Sequence, residues 1–270
     1  MKLIRVDFDS DIGFGHLKRV KNFIKDGIIV CIKCNEKYTN LPVIKIKNED
    51  EFFEVVKKLN PSEVIVDNYN FTYKYEKKFK NLFPEIKLIC FDDTYEKHFC
   101  DEIINVNPGA KREKYPKNIK VKILKKPLVS EEFKKAKKRH FKKRGIFVSF
   151  GGTDSKEIGL KVLKKLKKLK KEVHFYTTSA NKNLNKLKKF CFLNRWCHLH
   201  IDKNVALGMA KSEFGIITPS TIAFEAMYMN IPFIAIEVAD NQKEISKYLK
   251  QKRIKVLKEN ELQKIPRFIP

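Results

Sequence analysis

The fold is decided by the stretch DSDIGFGHLKR at residues 9–19. It follows the β-forming run Leu3–Phe8 and precedes a polar and apolar pattern that predicts a helix ending near Asp26. Strand, glycine turn and helix in this order are typical of α/β folds, which bind ligands outside the carboxyl end of the first strand. Gly13 and Gly15 allow a tight turn and a close approach of the backbone to a ligand.

His16 falls in the first turn of this predicted helix. Unpaired amides and the helix dipole at that position disfavour an imidazolium, so we expect a neutral ring, the form that a general base requires. The alternative is that the glycines only shape a turn and that His16 caps it. The stretch alone leaves both interpretations open, because a single glycine-rich turn is weak evidence.

Apolar runs alternate with helical patterns along the whole chain, which predicts parallel α/β sheets. The region 105–127 indicates looser structure, and a charged helix is predicted over 130–143. The pattern restarts at the strand 145–150, which a second glycine turn follows at 151–154. Pro127 and the polar tract after it predict a domain boundary between about residues 127 and 144. We therefore expect two Rossmann-like domains facing across a cleft, residues 1–140 and residues 141–270.

Composition favours an ordinary α/β protein of 270 residues, 43% of them apolar. No run is apolar enough to span a bilayer and no signal peptide precedes Leu3, so a cytoplasmic protein without a membrane partner is expected. The net charge is +26, but only eight of the 58 basic residues are arginine and the lysines are spread along predicted helix faces. No nucleic-acid-binding motif is present, so we expect no nucleic acid; the charge favours a phosphorylated substrate.

Metal-binding patterns are weak. Cys31 and Cys34 lie in a predicted strand, where positions three apart point to opposite faces, so the six cysteines are expected to be reduced and structural. His98 and the other four histidines outside the first motif have no ligand-like spacing. A calcium loop at residues 7–18 lacks its glycine and its final glutamate. An Asp-x-Asp metal site at Asp7 and Asp9 remains an alternative.

Polar residues end two further strands, at residues 67–69 and at Asp92-Asp93, where such sheets place functional groups or simply end. The segment 219–226 reads PSTIAFEA and predicts a helix start whose amides bind a diphosphate. Glu225, one turn further on, is placed to accept hydrogen bonds from the two hydroxyls of a ribose. A capped core helix is the alternative at this segment.

Together these motifs resemble a known family. GFGHLKR at 13–19, FDD at 91–93, GGTD at 151–154, Ile201-Asp202 and the helix start at 220–226 occur in the order and spacing of the UDP-sugar hydrolases of pseudaminic acid synthesis. These enzymes act on UDP-2,4-diacetamido-2,4,6-trideoxy-β-L-altropyranose and are related to GT-B glycosyltransferases. The resemblance covers nearly the whole chain. One departure is Pro219, where related transferases carry glycine.

The resemblance implies a GT-B fold and an inverting hydrolysis in which His16 activates water and UDP leaves. It assigns substrate binding to Gly15, Arg19 and Tyr69 beside the sugar, and to Asn241 and Gln242 facing the sugar or the phosphates. It assigns the nucleotide to a second set of residues, namely Gly151, Gly152, Thr153, Ile201, Ser220, Thr221 and Glu225.

The resemblance also implies no metal and no cofactor, a UDP-sugar substrate with UDP as product, a monomer, and a role in flagellin glycosylation. Two alternatives stay open: a GT-B transferase that uses a UDP-sugar donor, and a basic module that binds RNA or a membrane surface. The transferase alternative is disfavoured, because the sequence of the first domain is short and contains no apolar patch that could face a lipid acceptor.

Overall fold

Two compact units make up the chain, Met1–Pro127 and Leu128–Pro270. The structure is a computed structural model that describes residues 1–154 and 156–270. The division lies earlier in the chain than the one at residue 140 expected from the sequence. Its reason is the helix Glu131–Lys137, which buries Phe133 and Ala136 in the core of the second unit.

The first unit is a seven-stranded sheet whose paired strands all run parallel. Its elements are β1 (Lys2–Val6), α1 (Gly15–Phe23), β2 (Ile28–Cys31), β3 (Val43–Lys45), α2 (Glu49–Leu59), β4 (Glu63–Asp67), α3 (Tyr73–Leu82), β5 (Lys87–Phe91), β6 (Glu102–Asn105) and β7 (Lys120–Ile123). The strand order is β3-β2-β1-β4-β5-β6-β7. The order reverses between β1 and β4, so the loops that follow these two strands diverge and leave a crevice.

The second unit is a six-stranded parallel sheet. Its elements are α4 (Glu131–Lys137), β8 (Ile146–Ser149), α5 (Ile158–Leu166), β9 (Val173–Thr177), α6 (Leu184–Leu193), β10 (Cys197–Ile201), α7 (Val205–Ala210), β11 (Phe214–Ile217), α8 (Thr221–Met229), β12 (Phe233–Glu237), α9 (Lys243–Gln251) and β13 (Val256–Lys258). The order β10-β9-β8-β11-β12-β13 reverses between β8 and β11. The two-domain parallel α/β architecture predicted from the sequence is confirmed.

Apolar residues on both faces of each sheet build the cores. In α5, Ile158, Val162 and Leu166 form an apolar stripe that is buried against β8 and its neighbours. Strands covered on both faces need continuous apolar runs, which is why these strands were recognisable from sequence.

A buried ion cluster fixes the centre of the first sheet. The guanidinium of Arg5 is fully buried and donates to Asp7 Oδ1 at 2.7 Å and to Glu49 Oε1 at 2.6 Å. Asp7 also accepts from the Ile32 amide at 2.7 Å and from Asn68 Nδ2 at 2.7 Å. Both oxygens of Asp7 therefore tie β1 to the ends of β2 and β4, which gives this residue a scaffold role and leaves the Asp-x-Asp metal alternative without support.

Two secondary-structure expectations were wrong. The region 105–127 is not loose throughout, since β7 lies within it and pairs with β6, which ends at Asn105. Each strand has only four residues, too few for a clear periodic pattern. The helix predicted over 130–143 ends at Lys137. The basic run that follows contains one apolar residue, Phe141, so a continued helix would bury little apolar surface.

The expectation of reduced cysteines was wrong at one pair. Cys31 and Cys34 form a disulfide, because β2 ends at Cys31 and the chain turns before Cys34. The alternation of side chains between the two faces of a strand therefore does not apply between these two positions. Within the described residues, none of the helices combines the length and the apolar character that crossing a membrane requires.

Candidate active site

The loop after β1 carries His16 to the edge where the strand order reverses. Asp9 shapes this loop, because its Oδ1 accepts from the Asp11 and Ile12 amides, each at 2.8 Å. Gly13 follows with a φ of +90°, a left-handed conformation that favours glycine. Helix α1 then begins at Gly15, which places His16 in its first turn as the sequence predicted.

Asp67 meets His16 at this edge. The β1–β4 register pairs Val6 with Asp67, so the carboxylate lies at the carboxyl end of the neighbouring strand. Its Oδ1 lies 2.6 Å from His16 Nδ1, and its side chain is only 1% exposed. Sequence reasoning had noted the polar strand end but had not assigned this residue a role.

Arg19 holds the same carboxylate from one turn further along α1. Its Nε donates to Asp67 Oδ2 at 2.7 Å, its Nη2 donates to Asp67 Oδ1, and its Nη1 donates to Asp93 Oδ2 at 2.7 Å. Tyr69 completes the cluster: its hydroxyl donates to Asp93 Oδ1 at 2.8 Å, and its ring lies edge-on to the His16 ring with centroids 4.8 Å apart. Side chains from α1 and from the loops and ends of β4 and β5 thus converge on the imidazole.

The electrostatics keep Asp67 ionised. Burial alone would raise the pKa of this carboxyl, but the charge and hydrogen bonds of Arg19, with His16 beside it, lower the pKa to about 2. The two carboxylates Asp67 and Asp93 in turn raise the pKa of the buried Arg19 guanidinium despite its desolvation. The pair of Asp67 and Arg19 is therefore charged at any pH near neutrality.

This arrangement selects one tautomer of His16. An ionised carboxylate can only accept hydrogen bonds, so the short contact to Asp67 requires the ring proton on Nδ1. Arg19 Nη2 also lies 3.1 Å from Nδ1, and one of its two N–H groups donates to Asp67 Oδ1. Donation from the other N–H group to Nδ1 would need the ring proton on Nε2, which would leave two acceptors facing each other at 2.6 Å between Nδ1 and Asp67 Oδ1. Nε2 is then the nitrogen that can accept a proton, and the side chain keeps 14% of its surface exposed. The group has the form of a carboxylate-oriented general base.

The second unit has its own reversal edge, between β8 and β11. Helix α8 begins there at Thr221 with Ser220 as its N-cap residue, and the Ser220 side chain makes no capping hydrogen bond to the helix amides. The Ser220 hydroxyl instead contacts Thr218 Oγ1 at 3.0 Å. A helix N-terminus without a side-chain cap leaves amide donors for an anion.

The glycine turn after β8 lies at the same edge. Gly151 has a φ of +82°, and a Cβ atom there would meet nothing within 4 Å, so the backbone is open at this point. The Gly152 carbonyl accepts from the hydroxyls of Thr177 at 3.1 Å and Thr178 at 2.9 Å, which joins this turn to the end of β9. Thr153 lies beside them, half-buried.

The remaining predicted nucleotide residues lie apart from this turn in sequence but within the same unit. Ile201 ends β10 and is followed by Asp202 at a φ of 52°, whose carboxylate accepts from the Ser179 amide. Glu225 is fully buried in α8, where its Oε1 accepts from Ser130 Oγ at 3.3 Å. The hydrogen-bonding capacity of this Glu225 oxygen, which the sequence predicts for a ribose, is used here by the Ser130 hydroxyl.

Asn241 and Gln242 lie in the short helical turn Asp240–Gln242, which precedes α9. Asn241 is exposed, and the Gln242 side-chain oxygen accepts from the Val238 amide at 2.9 Å. Within the first unit, the structure brings together His16, Arg19 and Tyr69 of the predicted residues, with Gly15 adjoining them. Asp67 and Asp93 are the members that sequence reasoning missed.

Comparisons with known proteins place the chain in context. No protein-family model matches it. It is 33% identical over 269 residues to UDP-2,4-diacetamido-2,4,6-trideoxy-beta-L-altropyranose hydrolase of Campylobacter jejuni, a match that covers 94% of this chain and 97% of that protein.

Solved structures share the fold at low sequence identity. The spinosyn rhamnosyltransferase SpnG superposes with a TM-score of 0.67 at 11% identity, covering 99% of this chain and 89% of its own. MurG of Acinetobacter baumannii superposes with a TM-score of 0.60 at 10% identity, covering 98% and 89%. Both are GT-B glycosyltransferases, and the GT-B fold expected from the sequence is confirmed.

Acid should remove the stabilisation that Asp67 provides. Its pKa is lowered from the ordinary value of 3.8 to about 2 by folding, so its contribution is complete above about pH 4 and is lost as the pH falls through about 2. The difference corresponds to roughly 2 kcal/mol. We therefore expect the advantage of the wild type over Asp67→Asn in unfolding free energy to shrink by that amount between pH 6 and pH 2, as measured by urea unfolding.

The matched control is Asp26→Asn, which removes a carboxylate that is 77% exposed and paired with Lys2 at the surface. Its effect should stay below about 0.5 kcal/mol throughout, because exposed ion pairs contribute little. An advantage of the wild type over Asp67→Asn that is unchanged at pH 3 and below would contradict a stabilising role for the ionised carboxylate.

Proposed function

The chain belongs to the family of the UDP-2,4-diacetamido-2,4,6-trideoxy-beta-L-altropyranose hydrolase, and from this premise we propose that it hydrolyses that UDP-sugar to UDP and the free sugar. The observation that carries the proposal is the 2.6 Å contact between His16 Nδ1 and Asp67, which leaves Nε2 as a proton acceptor. A hydrolase needs a base for water, and this group is built as one.

In the proposed reaction, His16 Nε2 takes a proton from water while the water oxygen attacks the anomeric carbon of the sugar. The bond between that carbon and the diphosphate oxygen breaks, its electron pair leaves with UDP, and the anomeric configuration inverts. Asp67 stabilises the imidazolium that forms, as a buried carboxylate beside Nδ1 does in other acid–base pairs. The proton then passes to solvent, which restores the base.

The leaving diphosphate carries the charge that develops in this step. We assign its stabilisation to the amides at the start of α8, around Ser220 and Thr221, together with the open turn at Gly151, Gly152 and Thr153. Oriented amides act on developing charge without reorganisation, so the proposal includes no metal in the chemical step. Ile201 is assigned to uracil through its backbone and Glu225 to the ribose.

The sugar is assigned to Gly15, Arg19 and Tyr69 of the first unit and to Asn241 and Gln242 of the second. Arg19 and Tyr69 already share Asp93, so their positions are coupled, and Tyr69 lies against the base. The further expectations of a monomeric, cytoplasmic enzyme that supplies pseudaminic acid synthesis for flagellin glycosylation are part of the same proposal.

The fate of the water oxygen tests the reaction directly. We expect the chain to release UDP from the UDP-sugar without any added acceptor, and oxygen-18 from labelled water to appear in the sugar and not in UDP. Mass spectrometry of both products measures this. Label in UDP would mean attack at phosphorus, and a UDP-sugar that stays intact until an acceptor is added would favour the transferase alternative.

Loss of the base should separate chemistry from binding. His16→Asn and Asp67→Asn should each lower kcat by about a hundredfold to ten-thousandfold. The first variant removes the proton acceptor, and the second removes the carboxylate that holds the ring proton of His16 on Nδ1. UDP affinity, measured by calorimetry, should change by less than about twofold, because the nucleotide is assigned to the other unit. His140→Asn, an exposed histidine of the second unit, is the control and should leave kcat unchanged. If affinity and kcat fall together in both variants, the cluster is structural.

The ribose assignment of Glu225 has its own test. UDP should bind more tightly than 2′-deoxy-UDP in the wild type, and Glu225→Gln should lose about tenfold or more of UDP affinity together with most of this preference. Ser130→Ala is the matched partner variant: it removes the hydroxyl that now contacts Glu225, so UDP affinity should be retained or improved. An undiminished preference for UDP over 2′-deoxy-UDP in Glu225→Gln would remove this residue from the site.

A further inference from the structure

Four side chains that could bind a metal lie together behind the first-unit site. Glu76 comes from α3, Cys90 from β5, and His98 and Cys100 from the loop between β5 and β6. One ligand atom of each lies within 4.8 Å of those of the other three. Among the described residues, no other set of three or more His, Cys, Asp and Glu side chains is grouped this closely. The proposed reaction uses none of these four.

The cluster is buried and polar. Glu76 and Cys90 are each 1% exposed, and the His98 side chain is 10% exposed. Glu76 is the centre of the contacts: its Oε1 lies 2.7 Å from His98 Nδ1 and 3.4 Å from Cys90 Sγ, and its Oε2 accepts from the Phe99 amide. Cys90 also contacts the Cys100 thiol.

The donor set identifies the class of ion. Two sulfurs, one imidazole nitrogen and one carboxylate oxygen suit a borderline-soft ion such as Zn²⁺, whereas Mg²⁺ and Ca²⁺ prefer oxygen ligands alone. Tetrahedral zinc with bonds of about 2.0 to 2.3 Å needs ligand atoms about 3.3 to 3.8 Å apart. The observed limit of 4.8 Å lies about 1 Å above this range, and the 2.7 Å between His98 Nδ1 and Glu76 Oε1 lies below it. Binding therefore needs side-chain rotations that draw the outer ligand atoms together and separate these two atoms.

An outer partner for the histidine is also present. His98 Nε2 is buried without a hydrogen-bond partner among the described residues, and Asp92 Oδ1 lies 3.8 Å from it. If Nδ1 binds an ion, the Nε2–H group faces this carboxylate. Metal-bound histidines commonly have such a second contact, which orients the ring. Asp92 itself is held by the Thr94 and Tyr95 amides, each at 3.0 Å.

We propose that Glu76, Cys90, His98 and Cys100 bind one Zn²⁺ ion as a closed structural site. Binding would displace the protons of the two thiols and leave the imidazole neutral. The ion would pin the loop 92–101 to α3 and β5. Asp93 lies in that loop and holds Arg19 and Tyr69, so the ion would stabilise the region that supports His16 without touching substrate.

The test is metal analysis of the full-length chain, purified without an affinity tag, without chelator and under reducing conditions. We expect about one zinc per chain by elemental mass spectrometry. After chelation, one equivalent of Co²⁺ should restore the visible bands of a tetrahedral site and the near-ultraviolet band of a thiolate ligand. Chelation should also lower the melting temperature.

Three cysteine variants locate the ion. Cys90→Ser and Cys100→Ser should each lose zinc and most of the thiolate–cobalt band. Cys100 is only half-buried, so Cys100→Ser should fold even if Cys90→Ser does not. Cys191→Ser is the matched control, since this buried thiol of the second unit contacts Cys197 Sγ at 2.7 Å and lies outside the four-residue cluster. It should keep full metal content.

Two outcomes would overturn the proposal. One is a chain with fully reduced thiols that contains no zinc and shows no thiolate–cobalt band; the four side chains would then be a hydrogen-bonded cluster only. The other is equal loss of metal in Cys191→Ser and Cys100→Ser, which would place the ion elsewhere. Neither outcome bears on the hydrolase proposal, whose tests follow UDP and the labelled sugar.

Discussion

The hydrogen bond between Asp67 and His16 is the interaction on which the first-unit site depends. A carboxylate that is 1% exposed is costly to bury, and here the cost is offset by a guanidinium that donates to both of its oxygens. The same carboxylate then fixes the proton of the imidazole on Nδ1. Stability and the proposed catalytic geometry are therefore coupled, because Arg19 stabilises the buried carboxylate that orients the His16 ring.

The sheet topology explains why this contact can form. β1 and β4 are neighbours at the point where the strand order reverses, so the end of one strand faces the loop that leaves the other. Behind that edge, Arg5 joins Asp7 and Glu49 in a second buried ion cluster that fixes the ends of β1, β2 and β4. A rigid support of this kind keeps His16 within hydrogen-bonding distance of Asp67.

The sequence predicted correctly those elements that are determined by residues close together in the chain. The glycine turn at 13–15, the strand ends and the start of α8 are coded by neighbouring residues, so His16, Arg19 and Tyr69 could be placed near one edge. Asp67 and Asp93 needed strand order, which depends on pairing between distant segments. The same limit hid the cluster of Glu76, Cys90, His98 and Cys100, whose spacing in sequence matches no metal motif. The Cys31–Cys34 disulfide was missed for a local reason, because β2 ends earlier than its apolar run suggests.

The tautomer of His16 is the most direct measure of the central claim. Nitrogen-15 NMR of the imidazole, assigned by comparison with His16→Asn, distinguishes a proton on Nδ1 from one on Nε2. We expect the neutral form of the ring to carry its proton on Nδ1 in the wild type, and to lose that preference in Asp67→Asn. A neutral ring that carries its proton on Nε2 in the wild type would contradict the assignment of His16 as the base, since no lone pair would then remain there to activate water.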